Sequence, residues 1–210
     1  MEHQFYKTAG ISLILGSLLI IATMVMHPHG GSLEYLIKIS NQITITHALA
    51  IFSIPIITFG FYGLTLKLLT PNKIAVLAFI ILCFGFVAVM FAALINGLTL
   101  PYFLNEFADS LDANRAVVDP IVYYGFAINK PLDYIFMTGC CLAILLYSII
   151  IVRSNLLHKW IGYFGILLIA FAVFGVLTGF IFTNLTGFRV FTFSLAAWIL
   201  SSAVLLIRSK

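Results

Sequence analysis

Six apolar runs, each long enough to cross a hydrocarbon core, leave this chain few alternatives to a membrane bundle. A bilayer interior about 30 Å thick needs roughly 20 helical residues. Runs of that order occupy residues 9–26, 43–66, 74–98, 131–152, 160–182 and 188–207. With 62% of residues hydrophobic and 9% charged, against about 25% charged in soluble domains, no water-soluble core could hide the apolar surface. Within lipid each backbone polar group must be satisfied inside its own element, so runs of this length read as helices. The expected fold is all-α: a polytopic integral membrane protein, one domain of six transmembrane helices, with an extracytoplasmic cap of short interfacial helices.

The breaks between runs have local causes. Pro28 disfavours helix at the residue before it, so the first run should stop near His27. Gly30-Gly31 then turns the chain. Residues 33–42 are mixed in polarity, with Leu33, Leu36 and Ile37 at helical spacing, which suits a short helix lying on the bilayer. Pro55 should bend the second span, and Thr70-Pro71-Asn72-Lys73 forms a tight turn. The third span should end at Asn96-Gly97. Two small-residue patterns suit close helix packing in lipid: Ala88, Ala92 and Ala93/Gly97 in the third span, and Gly175/Gly179 in the fifth. Residues 99–130 form the one long connection. There Leu104, Phe107, Ala108 and Leu111 follow helical spacing between polar neighbours and predict an amphipathic surface helix. The apolar stretch 121–128 is too short to span. Lys7 ahead of the first run imitates a signal peptide, but the run is long enough to span and no A-x-A-like site follows, so a retained helix is expected.

Loop charges orient the bundle. Lys7, Lys67, Lys73, Arg153, Lys159, Arg208 and Lys210 fall on one side with Glu2. Lys38, Arg115, Lys130 and Arg189 fall on the other with the six remaining acids. Both termini are therefore expected in the cytoplasm of a multi-pass cell (inner) membrane protein. No basic patch interleaved with aromatics exists for nucleic acid. Cys83, Cys140 and Cys141 all lie within apolar runs and form no CxxC, so they read as packing residues. P-loop, GxGxxG and CxxCH patterns are absent, and nothing orders Ser32 against a histidine and an acid as a hydrolytic triad.

The remaining chemistry gathers at one depth. Counting roughly 20 residues from each cytoplasmic cation reaches His27 from Lys7, His47 from Lys67, Ala93 from Lys73, Asp133 from Arg153 and Phe188, beside Arg189, from Arg208. Asn96 lies one turn beyond Ala93. From Lys159 the count reaches Gly179, a turn short of Asn184. Three of the five histidines, His27, His29 and His47, fall within this outer ring. Imidazole is the commonest nitrogen ligand for zinc and copper, and an extended H-x-H puts both rings on one face. One expectation is therefore a metal centre with His27, His29 and His47 as ligands and Asp133 as fourth ligand or general base. Asn96 and Arg189 would orient a bound polar or anionic group, and Met24 and Met26 are nearby soft ligands. Haem is the less favoured cofactor: only His47 lies inside a predicted span, which argues against transmembrane electron transfer between two haems. A zinc- or copper-activated water would suit hydrolysis of a lipid or headgroup. The competing expectations are a carrier of an apolar or lipid-like substrate and a structural or assembly subunit without metal. No run carries an ionisable residue near its centre, which disfavours an ion pathway. Membrane lipids and a small-molecule or lipid substrate are the expected partners.

Overall fold

The computed structural model describes residues 2–70 and 72–209; Pro71 of the expected turn, Lys210 of the cation count and the Glu2 side chain lie outside the described residues. The described elements are α1 (Glu2–Met26), α2 (Leu33–Lys38), α3 (Ser40–Leu69), α4 (Ile74–Ala93), a π-helical turn (Leu94–Thr99), α5 (Leu100–Glu106), α6 (Leu111–Arg153), α7 (Lys159–Leu177) and α8 (Leu185–Arg208). Among the described residues there is no strand. Six helices are long and apolar enough to cross a membrane, counting α4, the π turn and α5 as one continuous helix.

Short-range chemistry sets several helix starts. The Ser32 side chain accepts a hydrogen bond from the Tyr35 backbone N–H at 3.4 Å and opens α2. The Asn184 side chain does the same for Gly187 N–H at 2.7 Å and opens α8. Each satisfies one of the donors a helix N-terminus leaves free.

The third span does not end at Asn96-Gly97. Its helix passes through the π turn into α5, and the Leu100 N–H reaches back five residues to the Ile95 carbonyl. Pro101 explains the wide turn: in a regular helix its ring would collide with the carbonyl four residues earlier, that of Gly97. The long connection also differs from the sequence expectation. Leu104 and Leu111 belong to two helices, separated by a turn in which Phe107 N–H bonds to Leu104 O and Ser110 N–H to Phe107 O. From Leu111 one helix of 43 residues runs through both Pro120 and Pro131 to Arg153. At about 1.5 Å per residue that is roughly 65 Å, twice a hydrocarbon core of about 30 Å. Two interior prolines are tolerated because the first part of α6 is held by burial. Leu111, Val118 and Val122 share one face and pack with Leu36, Ile43 and Leu104 in a small second apolar cluster. An Arg115–Glu34 ion pair joins α6 to α2 beside it.

The main core lies between the long helices. Helix α1 packs between α3 and α8, α4 between α3 and α6, and α7 rests against α6 and more lightly against α8. At the centre Phe61, Tyr147 and Trp198 are fully buried and stacked, with ring centres 6.0–6.5 Å apart. Their polar tips are satisfied: Tyr147 OH meets Thr65 Oγ1 at 2.7 Å, and Trp198 Nε1 donates to Ile161 O at 3.1 Å. An aromatic with a polar tip is stable inside a core only when that tip finds a partner.

The small-residue expectations divide. Ala88, Ala92 and Ala93 are buried, each 5% exposed. Gly175 and Gly179 do not make a helix-crossing surface. A Cβ on Gly175 would meet the Phe182 ring at 2.9 Å, and Gly179, with φ of +83°, lies beyond the end of α7 in the turn that needs its left-handed backbone.

Candidate functional site

A cavity of about 280 Å³ opens where α1 ends and α3 begins. Its walls come from the end of α1 and the following loop, from α3, from α4 with the π turn and α5, from the middle of α6, and from the start of α8. It gathers most of the residues that the depth count placed at one level: His27, His29, His47, Ala93, Asn96, Asp133, Asn184 and Phe188. Arg189 is not among the lining residues.

Arg189 instead secures the end of α1. Its Nε donates to Met24 O at 3.2 Å and its Nη2 to His27 O at 3.0 Å. Gln42 Nε2 donates to Met26 O at 3.0 Å. A helix C-terminus leaves its last carbonyls without intrahelical partners and carries partial negative charge, so a guanidinium and an amide are suitable closures. These bonds fix His27 against α3.

The two closest imidazoles are His27 and His47, with ring centres 4.9 Å apart and planes at 60°. Each is oriented through Nδ1. His27 Nδ1 lies 3.0 Å from Pro28 O, and His47 Nδ1 lies 2.8 Å from Ile43 O, one turn back on its own helix. A carbonyl can only accept, so in both rings Nδ1 carries the proton. Each neutral ring then offers Nε2 as an acceptor. Burial holds the His27 imidazole below its ordinary pKa; the bond to Pro28 O opposes the shift, and the charges of Arg189 and His29 add to it. His29 lines the same wall but is exposed. Among the described residues, no group of three or more His, Cys, Asp or Glu side chains is placed to hold a metal ion. The three histidines thus share a cavity without forming a common coordination point.

The π turn determines how close His47 lies to the opposite wall. Gly97 backs directly onto it: a Cβ there would fall 2.0 Å from His47 Cβ and Cγ. One residue earlier, Asn96 points a side-chain amide whose nitrogen and oxygen are both buried and have no hydrogen-bond partner. Thr23, also lining the cavity, has a buried hydroxyl without a partner. Asp133 is 7% exposed and accepts one hydrogen bond, from Asn129 Nδ2 to its Oδ2 at 2.8 Å. The ion pairs among the described residues both involve Arg115, so no cation meets this carboxyl.

Sequence reasoning missed three contributors. Asn129 falls in the expected connection, two residues before the expected start of the span; only the continuous α6 puts it one turn before Asp133 on the same face. Gln42 and Thr23 carry no local signal; their roles depend on how α1 and α3 meet. Chemically, the site is an apolar chamber with two imidazole acceptors, one buried carboxyl and one unpartnered amide, and no Lys or Arg on its wall. No protein-family model, curated protein or solved structure matches the chain.

Proposed function

We propose that the protein is a membrane-embedded binding protein of the carrier class, holding the polar end of one lipid-like small molecule in this cavity. The observation that carries the reading is the Asn96 amide, buried on the cavity wall with neither polar atom partnered. Leaving such a group unsatisfied costs about 1–3 kcal/mol, and a bound polar group removes that cost. Concave, mostly apolar chambers with a few convergent polar groups are the usual form of small-molecule sites. The volume indicates the kind of occupant. At about 280 Å³ the chamber accepts a head and the first carbons of a chain, while the rest of the chain stays with the surrounding lipid.

In this reading the cavity faces the extracytoplasmic side of the cell membrane, with both termini in the cytoplasm, the orientation that the loop charges favour. Helices α2 and α5 and the start of α6 then form an extracytoplasmic cap over it. The test is extraction of small molecules retained by detergent-purified protein, comparing the wild type with Ala50→Phe, which fills the wall one turn below His47. Mass spectrometry should find a near-stoichiometric amphiphile in the wild type that the variant lacks. Identical retained lipids in both would remove the basis for the proposal.

One observation favours a second reading, a zinc- or copper-dependent hydrolase acting on lipid or headgroup. An ion at about 2.1 Å from each ring nitrogen lies roughly 3.2 Å from each ring centre, so two ligands of one ion have centres about 5 Å apart. The His27–His47 separation of 4.9 Å fits that value, and Nδ1 bonds to carbonyls are the usual orienting contacts of metal-binding imidazoles. Asp133 would then act as a further ligand or general base. Metal content measured in the wild type and in a His27→Ala/His47→Ala variant separates the readings, because equal content in both eliminates the metal.

A further inference from the structure

We infer that the head of the bound molecule is cationic, a primary ammonium on an apolar tail, received by Asp133 with His27 and His47. The inference rests on the reading that the cavity holds a lipid-like molecule, and it specifies that molecule's polar end. Three features of the wall point the same way. Asp133 is nine-tenths buried with a single hydrogen bond and no ion pair. A carboxylate removed from water is stable only when a countercharge and further donors reach it. Both imidazoles have their Nδ1–H on backbone carbonyls, so the ring nitrogen that each lining histidine leaves free, Nε2, is an acceptor and not a donor. The nearest strong cation, Arg189, is turned away onto Met24 O and His27 O.

The wall therefore has no Lys or Arg side chain, and Asp133 and the two imidazole nitrogens give it acceptors. A phosphate or carboxylate head would meet Asp133 with nothing to neutralise it. A hydroxyl head brings one donor. A primary ammonium brings three donors and the missing charge, which matches one carboxylate and two imidazole nitrogens. The Asn96 amide can serve either polarity of neighbouring group. No bond is made or broken; the claim concerns recognition alone.

The experiment uses the full chain in a neutral maltoside detergent, so that the micelle does not itself concentrate cations. Dodecylamine, dodecanol and dodecanoate share one tail and differ only in the head, and native mass spectrometry reads how much of each is bound. The amine should bind at least about tenfold more tightly than the alcohol, the size of one charge-assisted hydrogen bond, with dodecanoate weakest. Asp133→Asn should bring the amine down to the level of the alcohol. Alcohol or dodecanoate binding as tightly as the amine in the wild type overturns the inference, even if Asp133→Asn fails to fold. So does an amine preference that survives Asp133→Asn. Failure of all three probes, or binding indifferent to Ala50→Phe, overturns the cavity reading itself. One zinc ion bound per chain that excludes dodecylamine and is lost in His27→Ala/His47→Ala assigns the cationic site to a metal and overturns the ammonium.

Discussion

Replacing Gly97 by alanine should disable the site through the position of His47 alone. The new methyl would lie 2.0 Å from His47 Cβ and Cγ, whereas carbon atoms in contact settle at about 3.5–4.0 Å. The π turn and α3 must therefore part by roughly 1.5 Å, or the imidazole must leave its rotamer and its bond to Ile43 O. Overpacking of this kind costs about 1–3 kcal/mol, and the upper part of that range applies because one of the obstructing atoms is a Cβ, which cannot rotate away. Removing that Cβ with His47→Gly costs about 1 kcal/mol in helix propensity, and it also removes the obstruction. The double variant should thus be more stable than the sum of the two single losses, by about 1 kcal/mol or more of coupling. Unfolding of the purified chain in mixed micelles with increasing dodecyl sulfate, followed by the fluorescence of the buried Trp198, measures all four proteins. Strict additivity, or a Gly97→Ala protein as stable as the wild type, would falsify the close seam between the π turn and α3.

Arg189→Ala should destabilise the fold by about 2 kcal/mol, since it removes two hydrogen bonds from a charged donor to the end of α1. Arg189→Lys should recover only part of the loss in the same unfolding assay, because an ammonium lacks the fork that spans Met24 O and His27 O; full recovery would show that charge alone closes the helix. The pH dependence has a definite sign. His27 has its folded pKa lowered from 6.5, so the unfolded chain takes up a proton that the folded chain refuses. Stability should fall as pH drops below about 6.5 and level off beneath the lowered folded value. His27→Gln should flatten part of that slope, and equal slopes in the two proteins would contradict the burial of the ring. For orientation, Asn114→Cys should react with a membrane-impermeant thiol reagent on intact cells and Ser209→Cys only after permeabilisation, with the native cysteines replaced by serine. The reverse pattern would place the cavity mouth in the cytoplasm.

The spans were legible because membrane thickness imposes a length that no competing effect overrides. Lys7 and His27, or Lys67 and His47, mark the two faces of one helix each, and simple counting places both histidines at the same level. What counting cannot supply is azimuth. Arg189 lies at the right depth yet turns toward the end of α1, and Asn184 caps its own helix while it lines the cavity. The π turn was hidden for a different reason. Asn96-Gly97 reads as the end of the span, whereas this helix widens there by one residue ahead of Pro101 and continues. Likewise the expected start of the fourth span is Pro131, yet α6 runs through both Pro120 and Pro131. There, burial of Leu111, Val118 and Val122 in the second cluster offsets the backbone bonds that the prolines remove. Local signals mark where a helix is weak, and tertiary burial decides whether it breaks.

The chemical sign of the cavity follows from how α1 ends. Pro28 stops the helix, so the carbonyls of its last turn and of His27 are left without intrahelical partners. Groups that could otherwise bring donors or positive charge to the chamber close that end: Arg189 takes Met24 O and His27 O, and Gln42 takes Met26 O. His27 directs its own Nδ1–H to Pro28 O. Closing α1 therefore leaves the wall with acceptors, the two Nε2 atoms and Asp133, and with no Lys or Arg side chain to balance them. A helix terminus ordinarily matters only to local stability. Here it determines which side chains remain available to a ligand, so a substitution at Arg189 should change ligand selectivity as well as stability, even though Arg189 does not itself line the cavity. An Arg189→Ala protein that keeps its preference among dodecylamine, dodecanol and dodecanoate would separate the two effects and place the selectivity in Asp133 alone.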